Sequence, residues 1–227
     1  MFVDRRDAGR RLGQQVSWQL SGQLGEGDIV VLGVLRGGVP VAAEVARTLE
    51  APLDVIVVRK LGAPRQPEFA LGAVGEDGVR VLNDDVVRQG SLAADELQAL
   101  TEREWREVKR LAKEYRGVRL RESLVGRTAV IVDDGVATGA TARAACQVAS
   151  AHGAHRVVLA VPVAPLGWTR EFANVADECI AVKTPAEFSA VGAHYRDFRA
   201  TTDEEVMDYL GVAERSTDAD RSGPRDS

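Results

Sequence analysis

Apolar residues recur along the chain in two spacings, which predict strands that alternate with helices. Continuous apolar runs are typical of parallel strands covered on both faces. They occur at 28 to 34, 53 to 58, 156 to 161 and 178 to 182, and one more run ends at 132. Spacings of three and four residues predict helices over 4 to 24, 39 to 50, 91 to 116, 140 to 152 and 165 to 176. The pattern therefore predicts an α/β fold, a doubly wound parallel sheet of about five strands.

The segment from 130 to 141, VIVDDGVATGAT, combines features that suit a sugar phosphate. A helix start presents backbone N–H groups and a positive dipole to an anion, and Thr138 and Thr141 add hydroxyl donors. Asp133 and Asp134 only accept hydrogen bonds when ionised, so they suit hydroxyl groups or a metal beside the phosphate. The alternative is an ordinary strand-to-helix turn capped by aspartates.

Two further strand ends carry cations. Arg36, Gly37 and Gly38 follow the first strand and predict a second anion-binding loop, although a solvated arginine in a tight turn is the alternative. Arg59 and Lys60 end the next strand, at the edge where open α/β sheets place ligands. We expect these cations to meet the same ligand as the acidic pair.

The acidic pair with its Ala-Thr-Gly-Ala-Thr loop resembles the 5-phosphoribosyl-1-pyrophosphate (PRPP) signature of the type I phosphoribosyltransferases. The resemblance covers roughly residues 28 to 200, and the Arg-Lys-x-Gly at 59 to 62 is similar to that of adenine-type enzymes. It implies that the catalytic Asp133 and Asp134 bind the ribose hydroxyls. The 5′-phosphate would lie on Ala137, Thr138, Gly139, Ala140 and Thr141, and the pyrophosphate on Arg36, Gly37, Gly38, Arg59 and the catalytic Lys60.

The resemblance also implies two mobile or accessory parts. Residues 63 to 80, rich in Gly and Pro, correspond to a mobile lid loop, in which Glu68 is the first choice for a catalytic general base and Glu76 the second. For each glutamate taken alone, a solvated loop charge is the favoured alternative. Residues 184 to 200 resemble the hood of purine phosphoribosyltransferases, in which Phe188 would stack on the base or else belong to the core.

The implied activity is Mg²⁺-dependent transfer of phosphoribosyl from PRPP to a purine or pyrimidine base in nucleotide salvage, with release of pyrophosphate. Mg²⁺ would be held mainly through PRPP, with Asp133 and Asp134 as additional candidate ligands. Position 137 is alanine, where hypoxanthine-type enzymes carry an aspartate, so the acceptor base stays open. The alternatives are a PRPP-binding regulatory sensor without catalysis and an assembly protein related to the PRPP synthetases.

Length, composition and charge bear on the domain organisation, the partners and the cellular location. The 227 residues, 45% of them apolar, suit one domain over 1 to 212, with a core at 28 to 183, a hood at 184 to 200 beside the N-terminal helix, and a disordered tail at 213 to 227. A net charge of −5 without a basic stripe argues against nucleic acid as a partner. The sequence has neither a signal-peptide pattern nor a span long enough for a membrane. We expect a cytoplasmic homodimer, the dimer being what the fold usually forms.

Overall fold

The centre of the fold is a five-stranded parallel sheet, as predicted. The computed structural model describes residues 1–22, 28–63, 66–83, 93–117 and 120–219, and the backbone alone for 66–70 and 212–219. Its strands are β1 (Ile29–Val34), β2 (Leu53–Ile56), β6 (Thr128–Val132), β7 (Arg156–Val163) and β8 (Glu178–Lys183). Their order in the sheet, β2-β1-β6-β7-β8, is that of a doubly wound sheet.

Helices cover both faces of this sheet because its strands are apolar on both faces. Val31 of β1 packs into the cluster that contains the buried residues of the first two helices, whereas Val30 and Leu32 pack into the cluster around the fourth. This two-sided burial explains the continuous apolar runs. The helices are α1 (Arg5–Leu20), α2 (Gly38–Leu49), α3 (Ala94–Arg116), α4 (Ala140–Ala151) and α5 (Asp203–Ala219).

The region predicted as a mobile lid loop is a second sheet instead. Strand β3 (Val58–Ala63) pairs antiparallel with β4 (Gln66–Gly75), which pairs with β5 (Arg80–Leu82). Its glycines suggested a loop, but Gly75 lies where a Cβ would come within 2.5 Å of Val148 on α4. Glycine in a strand often marks such a close approach. Leu71, Ala73 and Val74 are fully buried, so this sheet belongs to the core.

Several element ends differ from the prediction. Helix α1 begins after Asp4, whose carboxylate accepts the Asp7 N–H at 2.7 Å, and it ends at Leu20 rather than 24. Helix α3 begins at Ala94 rather than at 91, and residues 91 and 92 lie outside the described residues. The helix predicted over 165 to 176 is a short 3₁₀ helix, Trp168–Phe172, which follows a left-handed Gly167.

The carboxyl end of the chain also departs from the prediction. Helix α5 continues to Ala219, so residues 213 to 219, assigned above to a disordered tail, are helical. Val206 and Leu210 on this helix are completely buried, and its first two turns therefore pack beside α2 and β2. Residues 220 to 227 lie outside the described part of the chain.

Candidate functional site

The predicted loops meet at one point on the edge of the parallel sheet. Strands β1 and β6 are neighbours, and the chain leaves β1 toward β2 on one side while β6 lies on the other. Ligands of doubly wound sheets bind in the crevice outside the carboxyl ends of such a strand pair. Here the crevice is bordered by Arg36 and Gly37 after β1 and by Asp133 and Asp134 after β6.

The two loops touch through glycine. A Cβ on Gly38 would collide with the carbonyl oxygen of Val132 and would lie 2.9 Å from the Cα of Asp133. A Cβ on Gly37 would collide with the carboxylate of Asp134. The peptide bond between Leu35 and Arg36 is cis. The glycines therefore let the Arg36 loop lie directly against the acidic pair.

We expect Gly38→Ala to damage the site more than Gly37→Ala does. Gly38 faces backbone atoms, which cannot turn aside, whereas Gly37 faces the end of a side chain. Overpacking of this kind costs about 1–3 kcal/mol of stability. Urea unfolding and PRPP titration of both variants check this, with Gly211→Ala as the control because a Cβ there meets nothing within 4 Å. Equal effects of the Gly38 and Gly37 variants would contradict it.

The acidic pair is held by a residue from the N-terminal helix. Arg5 donates from Nε at 2.9 Å and from Nη2 at 2.7 Å to the same oxygen, Oδ2 of Asp134. The Arg5 and Asp134 side chains are only 11% and 16% exposed. The Asp134 N–H donates to Oδ1 of Asp133 at 2.9 Å. The pair is thus asymmetric, because Asp134 has the Arg5 cation bound to it and Asp133 does not.

Burial sets the electrostatics of the pair. It raises the pKa of Asp133 well above its usual range, and the neighbouring Asp134 charge raises it further. Burial also raises the pKa of Asp134, but the Arg5 guanidinium opposes that rise. A bound cation, or hydroxyl groups that donate to the carboxylates, would favour the ionised pair.

The predicted phosphate loop leads into helix α4. Gly139 is the N-cap residue and adopts a left-handed conformation with φ 74°. The Gly139 carbonyl accepts the first helical N–H, from Arg143, at 2.8 Å. Ala137, Thr138 and Thr141 are exposed, so this helix start opens to solvent beside Asp133 and can accept an anion.

Arg36 lies at the crevice and has a counterion there. Its Nε lies 2.9 Å from Oδ1 of Asp203, in the first turn of α5, and this oxygen also accepts the Tyr115 hydroxyl. The Arg36 side chain is 49% exposed. The guanidinium thus reaches solvent at the site while one edge contacts α5.

The structure separates Arg59 from Lys60. Both lie on β3, and successive strand residues point to opposite faces. The Arg59 Nε lies 2.9 Å from Oε2 of Glu104 on α3. Lys60 is half-buried and shares its face with Val58, which packs into the cluster around α4. The prediction placed both cations on one ligand; strand alternation directs their side chains to opposite faces of β3.

The hood packs over the acidic pair. A Cβ on Gly135 would lie 2.6 Å from Val191, and the Tyr195 hydroxyl donates to the Asp134 carbonyl oxygen at 2.6 Å. Phe188 is half-buried, and its ring stacks on His194 with centroids 5.4 Å apart. One ring face of Phe188 is therefore covered within the hood.

Of the two glutamates predicted as candidate general bases, the structure describes the side chain of only one. Glu76 is buried and accepts from the Arg116 guanidinium at 2.9 Å, within a network that also contains Asp54. It is a structural counterion. The Glu68 side chain lies outside the described residues, so its predicted role stays a prediction.

Arg5, Tyr195 and Asp203 contact the predicted site residues, and sequence reasoning did not single them out. Arg5 is 129 positions away from Asp134 in the chain. It lies in the sequence DRRD, which indicates a helix start and nothing about its partner. Asp203 likewise stands in an acidic stretch that indicates only the first turn of a helix. No local signal identifies these three residues.

The residues at the crevice fit a Mg²⁺ ion whose ligands come mostly from substrate phosphates and water. Within the described residues no cluster of three or more His, Cys, Asp or Glu forms a metal site. Mg²⁺ commonly binds through one or two carboxylates plus substrate phosphates and water. Asp133 fits such a role better than Asp134, since Arg5 already occupies one oxygen of Asp134.

Fold and site together define an α/β protein that presents a carboxylate pair between two anion-accepting loops. The model of the phosphoribosyl transferase domain matches residues 7–195. The chain belongs to this family, which confirms the predicted membership. Across the described residues, no helix has the length and apolar character that a bilayer crossing requires.

Individual relatives agree with the family. Two Mycobacterium tuberculosis proteins, from strains CDC 1551 and H37Rv, have names that class them provisionally as phosphoribosyl transferases. Each is 58% identical over 215 residues, which are 95% of this chain and 47% of the relative. The chain thus spans about half the length of these relatives. The crystal structure of TT1426 from Thermus thermophilus is 45% identical, with a TM-score of 0.84, over 93% of this chain and 98% of that one.

Proposed function

We propose that the chain binds PRPP in the crevice between β1 and β6 and transfers its phosphoribosyl group to a nitrogenous base. The products are pyrophosphate and a nucleoside monophosphate. The contact between the Arg36 loop and the acidic pair is the observation that carries this proposal. PRPP requires anion sites on both sides of a polyhydroxyl sugar, and this edge of the sheet offers two anion-accepting loops with two carboxylates between them.

Each part of PRPP has a matching group. The 5′-phosphate fits the start of α4, over residues 137 to 141, where N–H groups and the helix dipole favour an anion. The ribose hydroxyls fit Asp133 and Asp134, which accept hydrogen bonds. The pyrophosphate fits the loop of Arg36, Gly37 and Gly38. We assign Lys60 to the same phosphates and leave Arg59 out, because Arg59 pairs with Glu104.

The chemistry separates charge. As the bond between ribose C1 and the pyrophosphate oxygen breaks, positive charge develops on the sugar and negative charge on the leaving group, and the base nitrogen then bonds to C1. The acidic pair stabilises the sugar cation, while Arg36 and Lys60 stabilise the departing pyrophosphate. Bound Mg²⁺ supplies further positive charge at the phosphate oxygens.

The acceptor side of the site belongs to the hood. Phe188 offers at most one open ring face to a base, since His194 covers the other. Ala137 provides no carboxylate to handle a base proton. We assign the general base to Glu68 of the β3–β4 sheet, because this region resembles the family's lid.

Pyrophosphate release from PRPP and Mg²⁺ across a panel of purine and pyrimidine bases tests the proposal. We expect release that depends on one base or a small group of bases. PRPP binding without release on any base would identify a regulatory sensor instead. If the chain binds no PRPP, both forms of the proposal fail.

We expect Asp203→Asn to tighten PRPP binding by about threefold, because exposed ion pairs contribute up to about 1 kcal/mol. The change frees Arg36 from its counterion while leaving the Tyr115 hydroxyl an oxygen to contact. Calorimetric titration measures the effect, and Glu204→Gln, an exposed neighbour on the same helix turn, is the matched control. Weaker binding by the Asp203 variant would show that Asp203 instead holds Arg36 in its binding position.

A further inference from the structure

Arg5 is fixed on three sides beside the acidic pair. Its Nε and Nη2 donate to Oδ2 of Asp134 at 2.9 and 2.7 Å, and its Nη1 donates to the Arg199 carbonyl oxygen at 2.6 Å. The guanidinium carbon lies 4.1 Å from the centroid of the Phe198 ring. Phe198 and Arg199 belong to the hood, so Arg5 joins α1, the hood and the acidic pair. An arginine fork held in this way has little freedom to move.

The pattern of these bonds leaves one oxygen on each carboxylate for a ligand. Both Arg5 bonds to Asp134 end at Oδ2, and the bond from the Asp134 N–H ends at Oδ1 of Asp133. These bonds do not involve Oδ1 of Asp134 or Oδ2 of Asp133. The Tyr195 hydroxyl fixes the backbone of Asp134 through its carbonyl oxygen at 2.6 Å. Two vicinal hydroxyl groups require two acceptors, and this arrangement provides two.

We propose that Arg5 is a positioning residue of the ribose subsite, which holds Asp134 so that its Oδ1 accepts one specific sugar hydroxyl. This inference rests on the proposed function. Arg5 does not touch the reacting atoms and acts through Asp134. Its consequence is selectivity, because a hydroxyl is recognised strongly only when its acceptor is held in place, and a mobile acceptor loses much of that recognition.

The test compares three probes that share a 5-phosphate: ribose 5-phosphate, 2-deoxyribose 5-phosphate and 3-deoxyribose 5-phosphate. Each deoxy sugar lacks one of the two hydroxyls. Their affinities for the full chain are measured by calorimetric displacement of PRPP. In the wild type we expect each missing hydroxyl to weaken binding about tenfold, the size of a hydrogen bond to a charged group.

In Arg5→Gln we expect one of these two discriminations to fall to about twofold while the other persists. Arg5→Lys keeps the charge but loses the two-pronged guanidinium. We expect its discrimination between the sugars to lie between that of the wild type and that of Arg5→Gln. Arg6→Gln is the matched control, since Arg6 is next in the chain, 59% exposed, and pairs with Glu44 rather than Asp134. The discrimination lost in Arg5→Gln is expected to be the one lost in Asp134→Asn, and the double variant adds nothing further.

The outcomes distinguish a failure of this inference about Arg5 from a failure of the proposed function. If Arg5→Gln weakens all three probes equally, Arg5 serves only the stability of the fold and the inference is overturned. If Arg5→Gln matches the wild type, the inference is overturned as well, while the proposed function stands. If the wild type binds neither PRPP nor ribose 5-phosphate, the proposed function fails and the inference fails with it.

Discussion

Asp133→Asn is expected to lower the affinity for PRPP by about a hundredfold, the loss of one to two hydrogen bonds to a charged group. Arg5 binds Asp134 and not Asp133, so the charge of Asp133 is available to the ribose hydroxyl and to Mg²⁺. Asparagine keeps the shape and still accepts the Asp134 N–H at Oδ1. Calorimetric titration with PRPP and Mg²⁺ measures the effect. An unchanged affinity would remove Asp133 from the site.

The same substitution is expected to leave the protein as stable as before, or more stable, at neutral pH. Burial raises the pKa of Asp133 in the folded state above its unfolded value. Such a group contributes stability below the unfolded pKa and loses it as the pH rises through the folded pKa. Asparagine has no charge to bury, so its advantage grows between acidic and neutral pH. Urea unfolding at both pH values checks this.

Asp134→Asn provides the contrast. It removes the negative charge that two Arg5 N–H groups contact and leaves that guanidinium, only 11% exposed, without its counterion. We therefore expect it to lose both affinity and stability, since an unpaired buried charge is costly. Equal stability of the two variants would contradict the asymmetry of the pair.

Arg116→Met is expected to destabilise the fold by roughly 3–5 kcal/mol, the usual cost of breaking a buried ion pair from one side. Arg116 donates to Asp54 at 2.5 Å and to Glu76 at 2.9 Å, and these carboxylates are 0% and 8% exposed. Methionine fills similar space but leaves two buried negative charges side by side. The free energy of unfolding in urea measures the loss.

Arg110→Met is the control on the same helix. Arg110 is 58% exposed and pairs with surface glutamates, so we expect a loss below about 1 kcal/mol. Adding Glu76→Gln to Arg116→Met is expected to recover part of the stability, because it removes one of the two unpaired charges. A loss for Arg116→Met no larger than the control's would mean that the network does not stabilise the fold.

Local patterns explain what could be predicted from the sequence. The order of strands and helices followed from apolar spacing, and the acidic pair could be placed at a strand end because its motif is contiguous. Because β1 and β6 are neighbours in the sheet, the loop of Arg36, Gly37 and Gly38 then lies against the acidic pair. Each of these inferences needed only neighbouring residues and the rules for parallel sheets.

The remaining features depend on contacts between distant parts of the chain. Arg5 meets Asp134 across 129 positions, and Asp203 meets Arg36 through the docking of α5. The prediction of a loop over residues 63 to 80 was wrong because its glycines were taken as a sign of a loop, whereas Gly75 makes room for Val148. Arg5 also covers Oδ2 of Asp134, a contact that no neighbouring residue indicates. Secondary-structure propensity does not predict which distant side chain will contact a given residue.

A crystal structure of the chain with PRPP and Mg²⁺ would show where each part of PRPP binds. We expect the 5′-phosphate at residues 137 to 141, the ribose hydroxyls on Asp133 and Asp134, and the pyrophosphate against Arg36, Gly37 and Gly38. PRPP bound at another part of the surface, with the crevice between β1 and β6 empty, would contradict it.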